Sequence, residues 1–203
     1  MESERQAVIG MDKLTIDDLL SLERYHKERS RLRAEVLAHK RHRQAALGPH
    51  LTLYFEDRLT MRYQVQEMLR AERLFEAEAI AEELAAYNPL IPDGTNLKAT
   101  MMLEYTDVDE RRTALQQLRG IESAVYLEIS TLGRVFAYAD EYLERSDQTK
   151  TSAVHFLRFE LDAAMRGALK KGAPLTLGVE HEHYRYELEG SAEMRKSLAA
   201  DLD

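Results

Sequence analysis

The sequence contains no cysteine. This absence excludes disulfides, thiol catalysis, cysteine-ligated zinc and iron–sulfur clusters held by the chain itself. A redox role would therefore have to use histidine and carboxylate ligands, or a centre that a partner carries. No apolar run is long enough to cross a membrane, and the first residues lack the apolar core of a secretory signal. The sequence thus predicts a cytoplasmic protein that does not insert into a membrane.

An excess of positive charge is also lacking. The chain has 28 lysines and arginines against 36 aspartates and glutamates, which gives a net charge of −8. An acidic protein binds nucleic acid and anionic membranes poorly, so we expect neither as a partner. With 203 residues, 44% of them hydrophobic, the chain is predicted to form one globular domain, residues 1–203, in which residues 1–14 are flexible.

A long basic helix is predicted near the N-terminus. Thr15 is a suitable N-cap, and nothing interrupts the helix before Gly48-Pro49. One stripe of this helix has the three- and four-residue steps of a packing seam, although it includes two arginines and a histidine. Its members are Leu22, Tyr25, Arg29, Leu32, Val36, His39, Arg43 and Leu47. We interpret the basic face as solvated or internally paired, because no aromatic residues are interleaved with it as in a nucleic-acid arm.

A second long helix, Arg58 to Ala86, is predicted after a strand from Leu51 to Glu56. Its helical wheel leaves Glu67 to water but places three other glutamates on the apolar face. These are Glu72, Glu76 and Glu83. Carboxylates of like charge cannot be buried together without cations nearby. The inward line therefore predicts either arginine partners or a metal ion.

The rest of the chain indicates short strands joined by hairpin-length links. They are expected at 97–105, 125–129, 134–138, 153–159, 175–179 and 183–188, with short helices between and after them. Such strands pair mainly in antiparallel fashion. The predicted fold class is α+β, with two long helices packed on a mainly antiparallel sheet.

The first candidate site lies beside the second helix. Both long helices supply arginines, and the Tyr-Asn-Pro loop that ends the second helix supplies polar groups at a rigid corner. The candidate ligand-binding residues are Arg29, Arg58, Arg62, Arg70, Glu72, Glu76, Tyr87 and Asn88. An internal salt-bridge network would account for the same charges. The functional interpretation is a small anionic ligand held by the arginines.

A metal site is the alternative. In a strand, His181-Glu182-His183 would place both imidazoles on one face, within reach of a single ion. The candidate ligands are Glu72, Glu76, His50, His155, His181 and His183. The second helix lacks the Glu-x-x-His pairs of di-iron bundles. The sequence therefore identifies no cofactor.

Four strings carry a resemblance to an uncharacterised bacterial family that is known only as a domain of unknown function. They are HLTLYFEDRLTMRYQVQEMLRAE, AYNPLIPDGTNLKATMMLEY, SAVHFLRFEL and the closing SLAADL. The genes of that family often neighbour genes for rubrerythrin-like and iron–sulfur oxidoreductase proteins. The resemblance therefore implies an accessory role in a redox or peroxide-defence system, and it brings no established catalytic residues.

These observations favour a non-catalytic accessory or ligand-binding protein. It would act by contact with a redox partner protein or by holding a small anionic ligand. The alternative is a metal-dependent enzyme with a carboxylate and histidine site. The long first helix also offers a surface for a homodimer.

Overall fold

A computed structural model describes residues 12–141 and 150–203. This part of the chain contains six α-helices and nine β-strands, so the predicted α+β class is confirmed. The helices are α1 (Leu22–Lys40), α2 (Arg58–Glu72), α3 (Ala77–Tyr87), α4 (Val108–Gln117), α5 (Ala163–Lys170) and α6 (Ala192–Ala199). The strands are β1 (Gln44–Leu47), β2 (Leu51–Glu56), β3 (Asn96–Leu103), β4 (Val125–Ile129), β5 (Arg134–Phe136), β6 (Tyr138–Ala139), β7 (Val154–Glu160), β8 (Leu175–His181) and β9 (Tyr184–Glu189).

The strands form two sheets, where the sequence had predicted one. Their orders are β1-β2-β3-β7-β6 and β5-β4-β8-β9, and every neighbouring pair is antiparallel. Side chains from both sheets meet in one hydrophobic core, which includes Leu53, Met101 and Phe159 from the first sheet and Leu127 and Leu177 from the second. Each of these five is at most 2% exposed, so the core is fully dehydrated.

The first helix is shorter than predicted. It ends at Lys40, and Gln44–Leu47 forms β1, an edge strand that pairs with β2. Successive residues of β1 alternate between exposed and buried, as a strand with one face on the core requires. Gly48 follows with a φ of 77°, a left-handed conformation that favours glycine and allows the chain to reverse. A hairpin therefore replaces the last turns of the expected helix.

The second predicted helix is divided in two. α2 ends at Glu72, Arg73 adopts a left-handed conformation with φ of 57°, and α3 begins at Ala77. The prediction of a second long helix from Arg58 to Ala86 is therefore wrong. The division also carries Glu72 and Glu76 into an exposed elbow, so the inward line of glutamates is not formed.

The first three helices share a hydrophobic cluster that is separate from the main core. Its buried members are Leu14, Met61, Val65, Leu69, Leu84 and Ile91. α2 is joined to the first sheet through Glu56, whose carboxylate accepts hydrogen bonds from Thr60 on α2 at 2.7 Å and from Thr100 on β3 at 2.8 Å. Among the described helices, none is both long and apolar enough to span a membrane.

Candidate functional site

The carboxylate of Glu67 joins α1 to α2. Arg29 donates Nε and Nη2 to its two oxygens at 2.7 and 2.8 Å, and the hydroxyl of the buried Tyr25 donates at 2.6 Å. The hydrogen bonds from Arg29 lower the pKa of Glu67 to about 2. The helices thus form an internal ion pair. The carboxylate of this pair belongs to Glu67, which the helical wheel places toward water. Glu72, Glu76 and Glu83, which the wheel places toward the interior, take no part in the ion pair.

Three of the four arginines predicted to hold a ligand already have carboxylate partners. Arg29 and Arg70 share Glu67, and Arg58 pairs at 2.5 Å with an aspartate of the N-terminal segment. Arg62 differs from them. It is half-buried on α2, and within residues 12–141 and 150–203 it forms neither a hydrogen bond nor an ion pair.

Arg62 lines a groove between α1 and α2 with a volume of about 180 Å³. The groove is also lined by Tyr63 of α2 and by three apolar side chains, Leu32 and Val36 from α1 and Leu59 from α2. The hydroxyl of Tyr63 has no hydrogen-bond partner in the described part of the chain. We call this cavity the α1–α2 groove, and it combines an unpaired cation, a free hydroxyl and an apolar wall.

The other arginines that line the α1–α2 groove are neutralised within α1. Arg24 donates to Glu28 at 2.9 Å, and Arg31 donates to Glu28 at 2.7 Å and to Glu35 at 3.4 Å. These pairs lie one helical turn apart on an exposed surface, where each contributes little to stability. Of the arginines that line the groove, Arg62 is therefore the one whose guanidinium can bind an added anion.

Tyr87 and Asn88, the predicted loop residues, have structural contacts. The side-chain amide of Asn88 accepts a hydrogen bond from the backbone N–H of Leu14 at 2.7 Å and donates one to the carbonyl of the same residue at 2.9 Å. Tyr87 packs against the cluster that α2 and α3 share. Neither residue lines the α1–α2 groove, so the structure does not bring them to Arg62.

The predicted metal ligands are dispersed over the molecule. Glu72 and Glu76 are exposed between α2 and α3. His50 stacks on Tyr105 with ring centroids 4.0 Å apart, whereas His155 is fully buried on β7. Within residues 12–141 and 150–203, no group of three or more histidines and carboxylates is placed to hold a metal ion.

The His-x-His motif does not lie in one strand as predicted. β8 ends at His181, β9 begins at Tyr184, and Glu182 and His183 form the tight turn between them. The two imidazole centroids are 5.8 Å apart, and His181 Nε2 is 3.0 Å from the carbonyl oxygen of Arg119. The alternation that would align both rings is therefore lost at the turn.

A buried arginine of the predicted seam, Arg43, lies near the meeting point of α1, α2 and α6, although it was not among the candidate ligand-binding residues. Arg43 is 1% exposed, and its guanidinium binds both oxygens of Asp201. It also donates to the backbone carbonyls of Phe55 and Glu56, each at 3.1 Å. The sequence signal for this site was a charged residue on an apolar seam, but the partner stands 158 residues away.

The group of charged side chains around Arg43 extends to His39, which lines an open cleft of about 520 Å³. Asp57 Oδ2 lies 3.5 Å from Arg43 Nε and 2.5 Å from His39 Nε2, and Asp57 Oδ1 caps α2 by accepting the N–H of Thr60 at 2.8 Å. Burial alone would raise the pKa of Asp57, but His39, Arg43 and the Thr60 amide lower it overall. Asp57 is therefore an ionised anchor for the guanidinium of Arg43 and the imidazole of His39.

Asp201 makes the stability of the protein depend on pH. Burial raises its pKa from 3.8 to about 6, although Arg43 acts in the opposite direction. Because the folded-state pKa is the higher one, the folded protein binds this proton more tightly, and the associated stability is lost as the pH rises through about 6.

We therefore expect Asp201→Asn to remove this pH dependence. Between pH 4 and pH 7 the free energy of unfolding of the unaltered protein should fall by about 2–3 kcal/mol relative to the variant. Urea unfolding across that range measures the difference, and the exposed Asp203→Asn is the matched control. Parallel curves for the unaltered chain and Asp201→Asn would show that the pKa of this carboxyl is not raised.

Comparisons with known proteins agree with this fold. A crystal structure of a protein of unknown function from Burkholderia pseudomallei K96243 is 50% identical, with a TM-score of 0.90, over 95% of this chain and 100% of that chain. No match was found among curated proteins. A family model described as "Protein of unknown function (DUF3501)" matches residues 13–202. The chain therefore belongs to the DUF3501 family.

Proposed function

We propose that the protein is a non-catalytic binding protein that takes a small organic carboxylate into the α1–α2 groove. The observation that carries this proposal is Arg62, a half-buried cation that lines the groove and has no carboxylate partner among the described residues. Partial burial of a guanidinium without a counter-ion is unfavourable. A bound anion would remove that cost, and this gain would contribute to its affinity.

The groove favours a monoanion with a short hydrocarbon body. A guanidinium presents two parallel N–H donors that match the two oxygens of a carboxylate. The hydroxyl of Tyr63 supplies a further donor, while Leu32, Val36 and Leu59 offer an apolar surface to the remainder of the ligand. The volume of about 180 Å³ excludes a nucleotide and admits only a small molecule.

We further propose that the protein serves a redox or oxidative-stress system as an accessory component. The support is the resemblance to a family whose genes often neighbour rubrerythrin-like and iron–sulfur oxidoreductase genes. A chain with no cysteine would leave any iron–sulfur centre to the partner. The bound ligand would then signal the level of a metabolite to the partner, or the protein would deliver the ligand to the partner.

Isothermal titration with butyrate, hexanoate and inorganic phosphate tests the ligand proposal. We expect saturable binding of a carboxylate, weaker binding of phosphate, and a loss of at least about tenfold in carboxylate affinity in Arg62→Gln, or about 1.4 kcal/mol. Arg33→Gln is the matched control, because Arg33 is an exposed arginine of α1 outside the groove. The proposal fails if no carboxylate binds, or if both variants lose affinity equally.

The metal-dependent enzyme is the weaker candidate, because its predicted ligands are dispersed. Elemental analysis of protein purified without a tag decides between the two. Stoichiometric iron, manganese or zinc would favour the enzyme, and turnover of a redox or hydrolytic substrate by the isolated protein would contradict a non-catalytic role.

A further inference from the structure

Residues 12–20 form a strap that crosses the surface of α2 and the loop after α3. The strap is extended at Thr15 and Leu19, on either side of a single 3-10 turn, Ile16–Asp18. None of its residues pairs with a β-strand, in contrast to the equally extended segments of the two sheets. Its backbone hydrogen-bonding groups must therefore find other partners.

Two side-chain amides supply those partners in the same way. Asn88 accepts from the N–H and donates to the carbonyl of Leu14, at 2.7 and 2.9 Å. Gln66 accepts from the N–H and donates to the carbonyl of Leu20, at 2.6 and 3.3 Å. Each amide thus imitates a neighbouring β-strand, which is how a protein binds the main chain of an extended peptide without reading its sequence.

Three side chains of the strap add specificity. Leu14 is 3% exposed and enters the hydrophobic cluster of α2 and α3. Lys13 Nζ donates to the carbonyl of Ile91 at 2.9 Å, and Asp18 Oδ1 accepts from Arg58 at 2.5 Å. The surface therefore recognises a basic residue, a leucine directly after it and an acidic residue four positions further on.

We propose that this surface is a binding groove for an extended peptide of a partner protein, and that the strap occupies it in cis. Arg58 and Asn88, predicted from the sequence as ligand-binding residues, thus hold a peptide ligand that belongs to the chain itself. A partner segment with the same basic-leucine-acidic spacing replaces the strap by matching its contacts. The strap is suited to exchange, because a single deeply buried leucine anchors it and no sheet hydrogen bond must break.

Exchange of the strap also affects the α1–α2 groove. Asp18 and Leu20 belong to the strap and line that groove. A partner that displaces them removes one wall of the cavity, so partner binding and ligand binding become coupled. The peptide proposal does not rest on the ligand proposal, because Arg62 forms no hydrogen bond or ion pair with the strap and its substitution leaves both amide clamps in place.

A labelled peptide of residues 12–21 is the probe, and fluorescence anisotropy measures its binding to the full chain. In Leu14→Asp the strap is weakened while the groove that receives it is intact, so we expect the peptide to bind at least about tenfold more tightly than to the unaltered chain. Adding Asn88→Ala to this variant should abolish the gain. Ile16→Asp is the matched control, because Ile16 lies on the same strap but is 46% exposed.

Three outcomes would overturn the proposal. One is a folded Leu14→Asp variant that gains no affinity, and another is equal binding by all the variants. The third is a dimer of the unaltered chain that Leu14→Asp abolishes, which would assign the groove to a second copy of this chain.

Hydrogen exchange on the unaltered chain gives an independent result should Leu14→Asp fail to fold. The N–H groups of Leu14 and Leu20 should exchange together, and roughly a hundredfold faster than those of β3, because the strap opens without global unfolding. Exchange of these two amides at the rate of the β3 amides would mean that the strap is a fixed part of the fold, and would overturn the proposal.

Discussion

Replacing Arg43 with methionine is expected to lower the free energy of unfolding by about 3–5 kcal/mol. The guanidinium is 1% exposed and binds Asp201, Asp57 and three backbone carbonyls, those of Phe55, Glu56 and Ser197. Methionine fills much of the same space but carries no charge. It would leave the carboxylate of Asp201 buried without a cation, and three carbonyls without the donor that Arg43 supplies.

Urea unfolding of Arg43→Met at neutral pH provides the measurement. Arg41→Met is the matched control, because Arg41 is an exposed arginine only two positions earlier and has no ion pair in the described part of the chain. We expect the control to change stability by less than about 0.5 kcal/mol. A loss below about 1 kcal/mol in Arg43→Met would mean that the cluster is open to water, contrary to the structure.

Replacing His155 with alanine is expected to lower the free energy of unfolding by about 3–5 kcal/mol as well, because it empties a buried site and breaks buried hydrogen bonds. The ring is fully buried, with Nδ1 2.5 Å from Asp140 Oδ2. Its Nε2 lies 2.8 Å from the hydroxyl oxygen of Thr151 and 3.0 Å from the carbonyl oxygen of Ser152. Each ring nitrogen thus has a polar partner inside the protein. Alanine would remove the ring contact of the partly buried Asp140 carboxylate and leave a cavity in place of the ring.

This substitution also separates the structural role of His155 from the predicted metal site. If His155 and His183 were ligands of one metal ion, removal of either would release the metal. We expect His183→Ala, at an exposed turn, to change stability by less than about 0.5 kcal/mol. Thermal unfolding with and without a chelator would detect the alternative, in which both variants and the chelated protein lose the same stability.

The parts of the fold that follow from local pattern could be predicted. Leu51–Glu56 and Val125–Ile129 are strands with the predicted bounds, because β-branched and aromatic residues occur there between turn residues. β1 could not be predicted in the same way. Its sequence, Gln-Ala-Ala-Leu, favours a helix, and only the pairing of Gln44–Leu47 with β2 makes it a strand.

The break between α2 and α3 gives no signal in the sequence. Helices usually end at a glycine in the left-handed conformation, and here that position is Arg73. The wheel for one continuous helix therefore counted Phe75, which is 72% exposed, among the buried residues. Since this choice fixed which side of the helix faced inward, Glu72 and Glu76 were assigned to the interior and Glu67 to water.

The candidate site could be predicted only as a set of charges. The sequence identified Arg29 and Arg62 as candidate ligand-binding cations, but it could not show which of them finds a carboxylate. That outcome depends on contacts between elements far apart in the chain, such as Arg29 with Glu67 and Arg58 with Asp18. Arg62 is the candidate arginine that such contacts leave free within the described residues.

The most direct test of ligand binding in the α1–α2 groove is to follow the arginine Nε–Hε signals by NMR during titration with hexanoate. We predict that the signal of Arg62 shifts saturably, and that those of Arg29, held by Glu67, and of the exposed Arg33 do not. Shifts of equal size at Arg33 and Arg62 that grow linearly with ligand, or no shift at Arg62, would contradict the proposed site.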